Sequence, residues 1–169
     1  MKVNGNHRRR RGQALAEMAV MVPFLVIGMM GFLDLGRALY FQIALTNAVR
    51  EGARLASLPN YFGLAPDCSF GAGSASCPLP SDGAIITRVN QELTGTGFTI
   101  QAADITVTPN EAGRMTCYSN PVQCQAGSPT QYAVTVSAKY KFTFITPMIA
   151  SLFGGSITLQ SAADMRTEY

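Results

Sequence analysis

A chain of 169 residues has room for one domain with a modest core and not for two. Its residues are 47% apolar and only 14% charged, against roughly 25% charged in soluble domains, which argues against both disorder and an ordinary water-soluble body. The net charge of +3 is local: five of the 13 basic residues (Lys2, Arg8, Arg9, Arg10 and Arg11) fall within residues 1–12, leaving eight basic against ten acidic residues beyond them. That excess is a terminal run rather than a face, so no nucleic-acid partner is expected.

Residues 14–33 read ALAEMAVMVPFLVIGMMGFL, 20 residues in which Glu17 is the only charge. At about 1.5 Å per residue a helix of this length spans the hydrocarbon of a bilayer. A core helix of a soluble domain is usually shorter and keeps a polar face; residues 18–33 have none, so a transmembrane helix is predicted. The arginine cluster should remain cytoplasmic, which places the rest of the chain outside the cytoplasm. A signal peptide has a shorter apolar core, about 7–15 residues, and a small-residue cleavage site, whereas this run passes straight into Asp34, Leu35, Gly36 and Arg37. Glu17 stands out, because a carboxylate in hydrocarbon costs several kcal/mol unless it is paired, protonated or close to the interface. It either performs a task in the membrane or reaches back toward the arginines.

The local register bears on that choice. Gly12 closes the basic leader, Gln13 opens the apolar run, and Glu17 is the fifth residue after the glycine. This resembles the processing site of type IV prepilins. The longer stretch RRRGQALAEMAVMVPFLVIGMMGFLDLGRALYFQIALTNAVREGARLAS, including Pro23 and residues 47–53, resembles the TadE-like family of Tad (tight-adherence) pilus assembly proteins. Met18 stands where pilins often carry an aromatic residue. The resemblance implies a pseudopilin or minor pilin of the inner membrane, cut after Gly12 by a prepilin peptidase. It further implies that Glu17 meets the new amine of Gln13 on a neighbouring subunit. The implied partners are other Tad pilus assembly proteins and pilins, joined as homo- or hetero-oligomers through the N-terminal helix.

Beyond the span, apolar or small residues recur at Leu35, Ala38, Leu39, Leu45, Ala48, Val49, Gly52, Ala53 and Ala56. Their period is close to 3.6 and predicts an amphipathic continuation of the same helix over 34–58, ended by Pro59. Asp34 with Arg37, and Glu51 with Arg54, are opposite charges at i,i+3 and are read as a solvated face. Tyr40 and Phe41 fit either an aromatic belt at the outer membrane surface or ordinary packing. Pro23 removes one backbone hydrogen bond, and Gly28, Gly31 and Gly36 offer small surfaces for a second helix.

All four cysteines fall in the predicted exterior part, as two local pairs, Cys68 with Cys77 and Cys117 with Cys124. Four cysteines allow three connectivities; an oxidising compartment and the short separations favour the sequential one. Gaps of eight and six residues, with the only histidine (His7) in the leader, do not suit a metal site, and neither metal nor cofactor is expected. Residues 60–81 are rich in Gly, Ser, Pro and Ala and read as an irregular loop. A short helix then follows, capped by Ser81 or Asp82, with Ile85, Ile86, Val89 and Leu93 along one face and Gly95 and Gly97 beyond its end.

The period next changes to two. Ile105 and Val107 alternate with threonines, and residues 132–145 alternate over nearly their whole length. Pro147 opens a short helix through Phe153, Gly154 and Gly155 turn the chain, and a last strand is expected near residues 156–163. Lys139 and Lys141 share one face of the central strand and are read as solvent-facing. The fold class is therefore α+β, a long N-terminal helix packed on a small antiparallel sheet in the manner of a pilin. The expected divisions are a leader (1–12), a transmembrane helix (13–33), its amphipathic extension (34–58) and an extracytoplasmic domain (59–169). Beyond the span there is no histidine, the carboxylates are scattered singly, and no nucleophile elbow or phosphate loop occurs. No enzymatic activity is expected. The competing reading is an uncleaved single-span membrane protein whose exterior domain binds a ligand.

Overall fold

The computed structural model describes residues 6–58, 79–114 and 133–167, with residues 6–11 given by backbone alone. The elements run α1 (Asn6–Ser57), α2 (Asp82–Glu92), a 3-10 turn (Ala102–Asp104), β1 (Ile105–Thr108), β2 (Ala133–Thr143), α3 (Pro147–Leu152) and β3 (Ser156–Arg166). The strands form one sheet in the order β1-β2-β3, with β1 antiparallel to β2. A long apolar helix with a small antiparallel sheet is the α+β class expected from the sequence. The four cysteines (Cys68, Cys77, Cys117 and Cys124) and most of the 60–81 loop lie outside the described residues. The fold divides into two compact units, Met1–Leu39 with Phe142–Ile157, and Tyr40–Lys141 with Thr158–Tyr169.

The second unit carries the larger core. In the C-terminal part of α1, Leu45, Ala48, Val49, Ala53 and Ala56 are fully buried, while Asn47, Arg50 and Arg54 point to solvent. This is the one-sided stripe that 3.6-residue periodicity requires. Gly52 lies in the stripe at its tightest point: a Cβ there would sit 2.5 Å from Cγ2 of Val89. Only glycine lets α2 come so near. Ser81 caps α2 by accepting a hydrogen bond from the N–H of Ala84 at 3.1 Å. Ile85, Val89 and Leu93 are buried one turn apart, and Ile86 packs at the rim of the core. Gly95 and Gly97, both at φ +88°, then reverse the chain in a conformation that side chains disfavour.

On the sheet, Val134, Val136 and Ala138 alternate inward, and the register pairs Ile105 with Ala138 and Val107 with Val136 on that same face. Lys139 and Lys141 are exposed, as expected. Phe41, Phe98 and Tyr140 make an aromatic cluster with centroid separations of 4.5, 4.5 and 5.8 Å. Phe41 is therefore a packing residue, while Tyr40 beside it stays exposed. β3 runs three residues past its expected end, because the inward alternation of Leu159 and Ala163 continues to Met165.

Two polar ties in this unit were not legible in the sequence. Arg114 is wholly buried and donates from Nη1 to Asp82 Oδ1 at 2.6 Å and to the Pro109 carbonyl at 2.9 Å, and from Nη2 to the Pro80 carbonyl at 2.7 Å. Asp82, a cap candidate by sequence, instead receives this guanidinium and the N–H of Glu111. Glu51 is tied chiefly to Arg88 on α2, at 2.7 Å, with Arg54 at 3.5 Å; Arg88 also reaches Glu92 at 2.9 Å. The Glu51 and Arg54 pair thus belongs to a bridge between two helices. The hydrogen bond from Arg88 holds the Glu51 carboxyl below its ordinary range, against the opposing effect of burial, and Glu51 in turn raises Arg88.

Candidate functional site

The first unit holds the residues singled out for function. Straight-chain and apolar residues from Ala14 to Leu33 sustain α1 without a polar interruption other than Glu17, and the helix continues through Pro23. Its most apolar window is only 6% buried, which sets it apart from the core helix of a soluble domain. Met18, Phe24, Leu25, Met29, Phe32 and Leu33 all stand exposed around its circumference. Such a surface is stable only against something other than water. By length and composition this helix can cross a membrane.

Near its start, Gly12 has nothing among the described residues within 4 Å of where a side chain would begin. Gln13 and Glu17 lie one turn apart on one face, with the Gln13 amide donating to Glu17 Oε1 at 3.1 Å, both exposed. Of the glycines proposed to receive a second helix, Gly28 and Gly36 are open, whereas Gly31 is filled from within the chain: Ile149 Cδ1 lies 3.1 Å from the position a Cβ would take.

Asp34 differs most from the sequence reading. It is 2% exposed rather than part of a solvated face. Its Oδ1 accepts from the N–H of Ile145 at 3.2 Å and its Oδ2 from the N–H of Thr146 at 2.9 Å, with Arg37 Nη1 donating to Oδ1 at 3.3 Å. The i,i+3 pairing with Arg37 is real, but the two backbone donors come from 111 and 112 residues away, beyond any local pattern. Arg37 in turn lies over the Phe142 ring, 5.3 Å from its centroid.

Asp34 thereby fixes the approach to α3, whose first residue Pro147 suits a helix start. Gly154 and Gly155, at φ +68° and +87°, turn the chain into β3. Residues 145–153 thus form a tip held against α1, and an apolar cleft of about 220 Å³ beside it is lined by Gly31, Asp34, Leu35, Ala38, Phe144, Ile149, Phe153 and Ile157. The short helix of the tip was expected from the sequence, and its attachment to Asp34 was not. Among the described residues, no group of three or more His, Cys, Asp or Glu side chains is placed to hold a metal ion.

Residues 12–54 match the family model described as TadE-like protein. Over that stretch the chain is similar to the TadE-like family. No curated protein and no solved structure matches the chain. The matched segment contains the glycine, the acid five residues on, the whole exposed apolar run, Asp34 and the glycine at which α1 meets α2.

Proposed function

We propose that this chain is a non-enzymatic, membrane-anchored component of the Tad pilus machinery, a TadE-like pseudopilin or minor pilin acting through α1. The observation that carries the reading is the match over residues 12–54, in which the glycine–acid register and an unburied apolar helix occur together. The helix crosses the inner membrane with the arginine cluster on the cytoplasmic side and the sheet outside. A prepilin peptidase cuts after Gly12, and the new amine of Gln13 then meets Glu17 of a neighbouring subunit. An isolated carboxylate and an isolated amine are each costly in a low-dielectric setting, and their pairing removes both costs at once. Among the described residues, Glu17 accepts from the neutral Gln13 amide. On this reading the exterior cysteines form two disulfides, Cys68 with Cys77 and Cys117 with Cys124, and peptide mapping without reduction tests that pairing.

The deciding experiment is N-terminal sequencing of protein extracted from membranes. A start at Gln13 supports the proposal, a start at Met1 favours a retained single-span protein, and a start beyond Leu33 means secretion and overturns both. The retained reading, with an exterior binding domain, draws on one observation: α1 is helical from Asn6 through Gly12, so the bond after Gly12 must unwind before it can be cut. The pairing itself is tested by Glu17→Ala, which is expected to be cleaved and inserted normally while assembly fails. Normal piliation in that variant refutes the pairing.

A further inference from the structure

From Phe142 to Ala163 the chain carries no charged residue, and the tip within this run has a composition closer to the span of α1 than to the sheet. Ile145, Met148, Leu152 and Phe153 are between 56% and 77% exposed, four large apolar side chains within nine residues. Water does not accommodate such a patch without cause.

The position of the tip along α1 suggests its surroundings. Ile149 packs at Gly31, two residues and so about 3 Å inside the end of the apolar run at Leu33, and Asp34 at its boundary binds Ile145 and Thr146. Interfacial segments seat their apolar face in the boundary between headgroups and acyl chains, and the end of the apolar run marks that boundary. Ile145 of the tip also lines one hollow with Met30 and Leu33 of α1, all three side chains being exposed.

Backbone accounting agrees. A segment touching hydrocarbon must satisfy its own polar groups. Asp34 accepts the N–H groups of Ile145 and Thr146, Pro147 has none, and Ala150 and Phe153 donate to the carbonyls of Thr146 and Ile149. The Ser151 hydroxyl is taken up by the Met148 carbonyl at 2.7 Å. The tip therefore presents apolar surface with these polar groups satisfied within the chain, and no charge that would specify a protein partner.

We infer that the 145–153 tip is a second membrane contact, seated in the outer interface of the bilayer that α1 crosses, with Ile145, Met148, Leu152 and Phe153 against lipid acyl chains. The inference rests on the reading that α1 spans the membrane. The chain contains no tryptophan, so a single introduced one reports its own position. Leu152→Trp and, separately, Phe24→Trp in the middle of the span are placed in the full chain. Each is reconstituted at high lipid excess in phosphatidylcholine/phosphatidylglycerol vesicles, with and without bromine on the acyl chains.

The expected result is blue-shifted emission from both reporters, loss of intensity in brominated vesicles, and protection from aqueous acrylamide. If the Phe24→Trp reporter is quenched by bromine while the Leu152→Trp reporter emits as in water and is quenched by acrylamide, the tip inference is overturned and the spanning reading stands. If the Leu152→Trp reporter is shielded from both quenchers, a protein surface covers the tip and the inference is likewise overturned. If the Phe24→Trp reporter escapes bromine, the spanning reading fails and the inference with it. Met148→Trp, at another exposed position, repeats the measurement should Leu152→Trp disturb α3.

Discussion

Replacing Asp34 with alanine should release the tip without unfolding the rest of the chain. The carboxylate is 2% exposed and accepts two backbone N–H bonds, from Ile145 at 3.2 Å and Thr146 at 2.9 Å. Its removal leaves both donors unsatisfied, that of Thr146 in a buried place and that of Ile145 in a part-buried one, at about 1–3 kcal/mol each. A combined loss of about 3 kcal/mol, with tenfold in an opening equilibrium for every 1.4 kcal/mol, makes local opening about a hundredfold more frequent. Asp34→Asn keeps one acceptor oxygen and loses the charge, so about tenfold is expected. The assay is hydrogen exchange followed by mass spectrometry on the full chain in lipid nanodiscs, reading the peptide over residues 145–153 with α2 as internal reference. Unchanged exchange in that peptide for Asp34→Ala, with α2 also unchanged, refutes the assignment of Asp34 as the anchor of the tip.

Gly52→Ala places a Cβ 2.5 Å from Val89 Cγ2 and should lower stability by about 1–3 kcal/mol through separation of the helices, seen as a lower denaturation midpoint. Adding Val89→Ala should recover part of that loss, and strict additivity of the two changes would count against the packing argument. Arg114→Leu removes three hydrogen bonds to Asp82, Pro109 and Pro80 and should cost about 3–5 kcal/mol. Arg114→Lys should not restore the loss, because an ammonium lacks the planar fork that serves several acceptors at once; full recovery in thermal melts would refute this. Since Arg88 holds the Glu51 carboxyl below its ordinary value, the stability gained from that pair is complete above the ordinary glutamate range and is lost as pH falls through the depressed value. The pair is partly exposed, so the amplitude should be about 1 kcal/mol or less, and Glu51→Gln should flatten that portion of an acid titration.

Where a feature depends on neighbours along the chain, the sequence alone determined it. The 3.6-residue stripe from Leu45 to Ala56, the Ser81 cap, the alternation of Val134, Val136 and Ala138 and the Gly154–Gly155 turn all follow from local sterics and one-sided burial. The match to the TadE-like model over residues 12–54 also rests on linear pattern alone. Features that join distant segments were decided by the tertiary structure. Asp34 looked like a solvated partner of Arg37 because an i,i+3 pair is all that local sequence can display; its burial arises from Ile145 and Thr146. Gly31 looked open to a second helix and is occupied by Ile149, and Glu51 finds its nearest cation on α2. Hydrogen bonds and close contacts between distant segments depend on the chain's path through space, and a linear pattern of residue types does not encode that path.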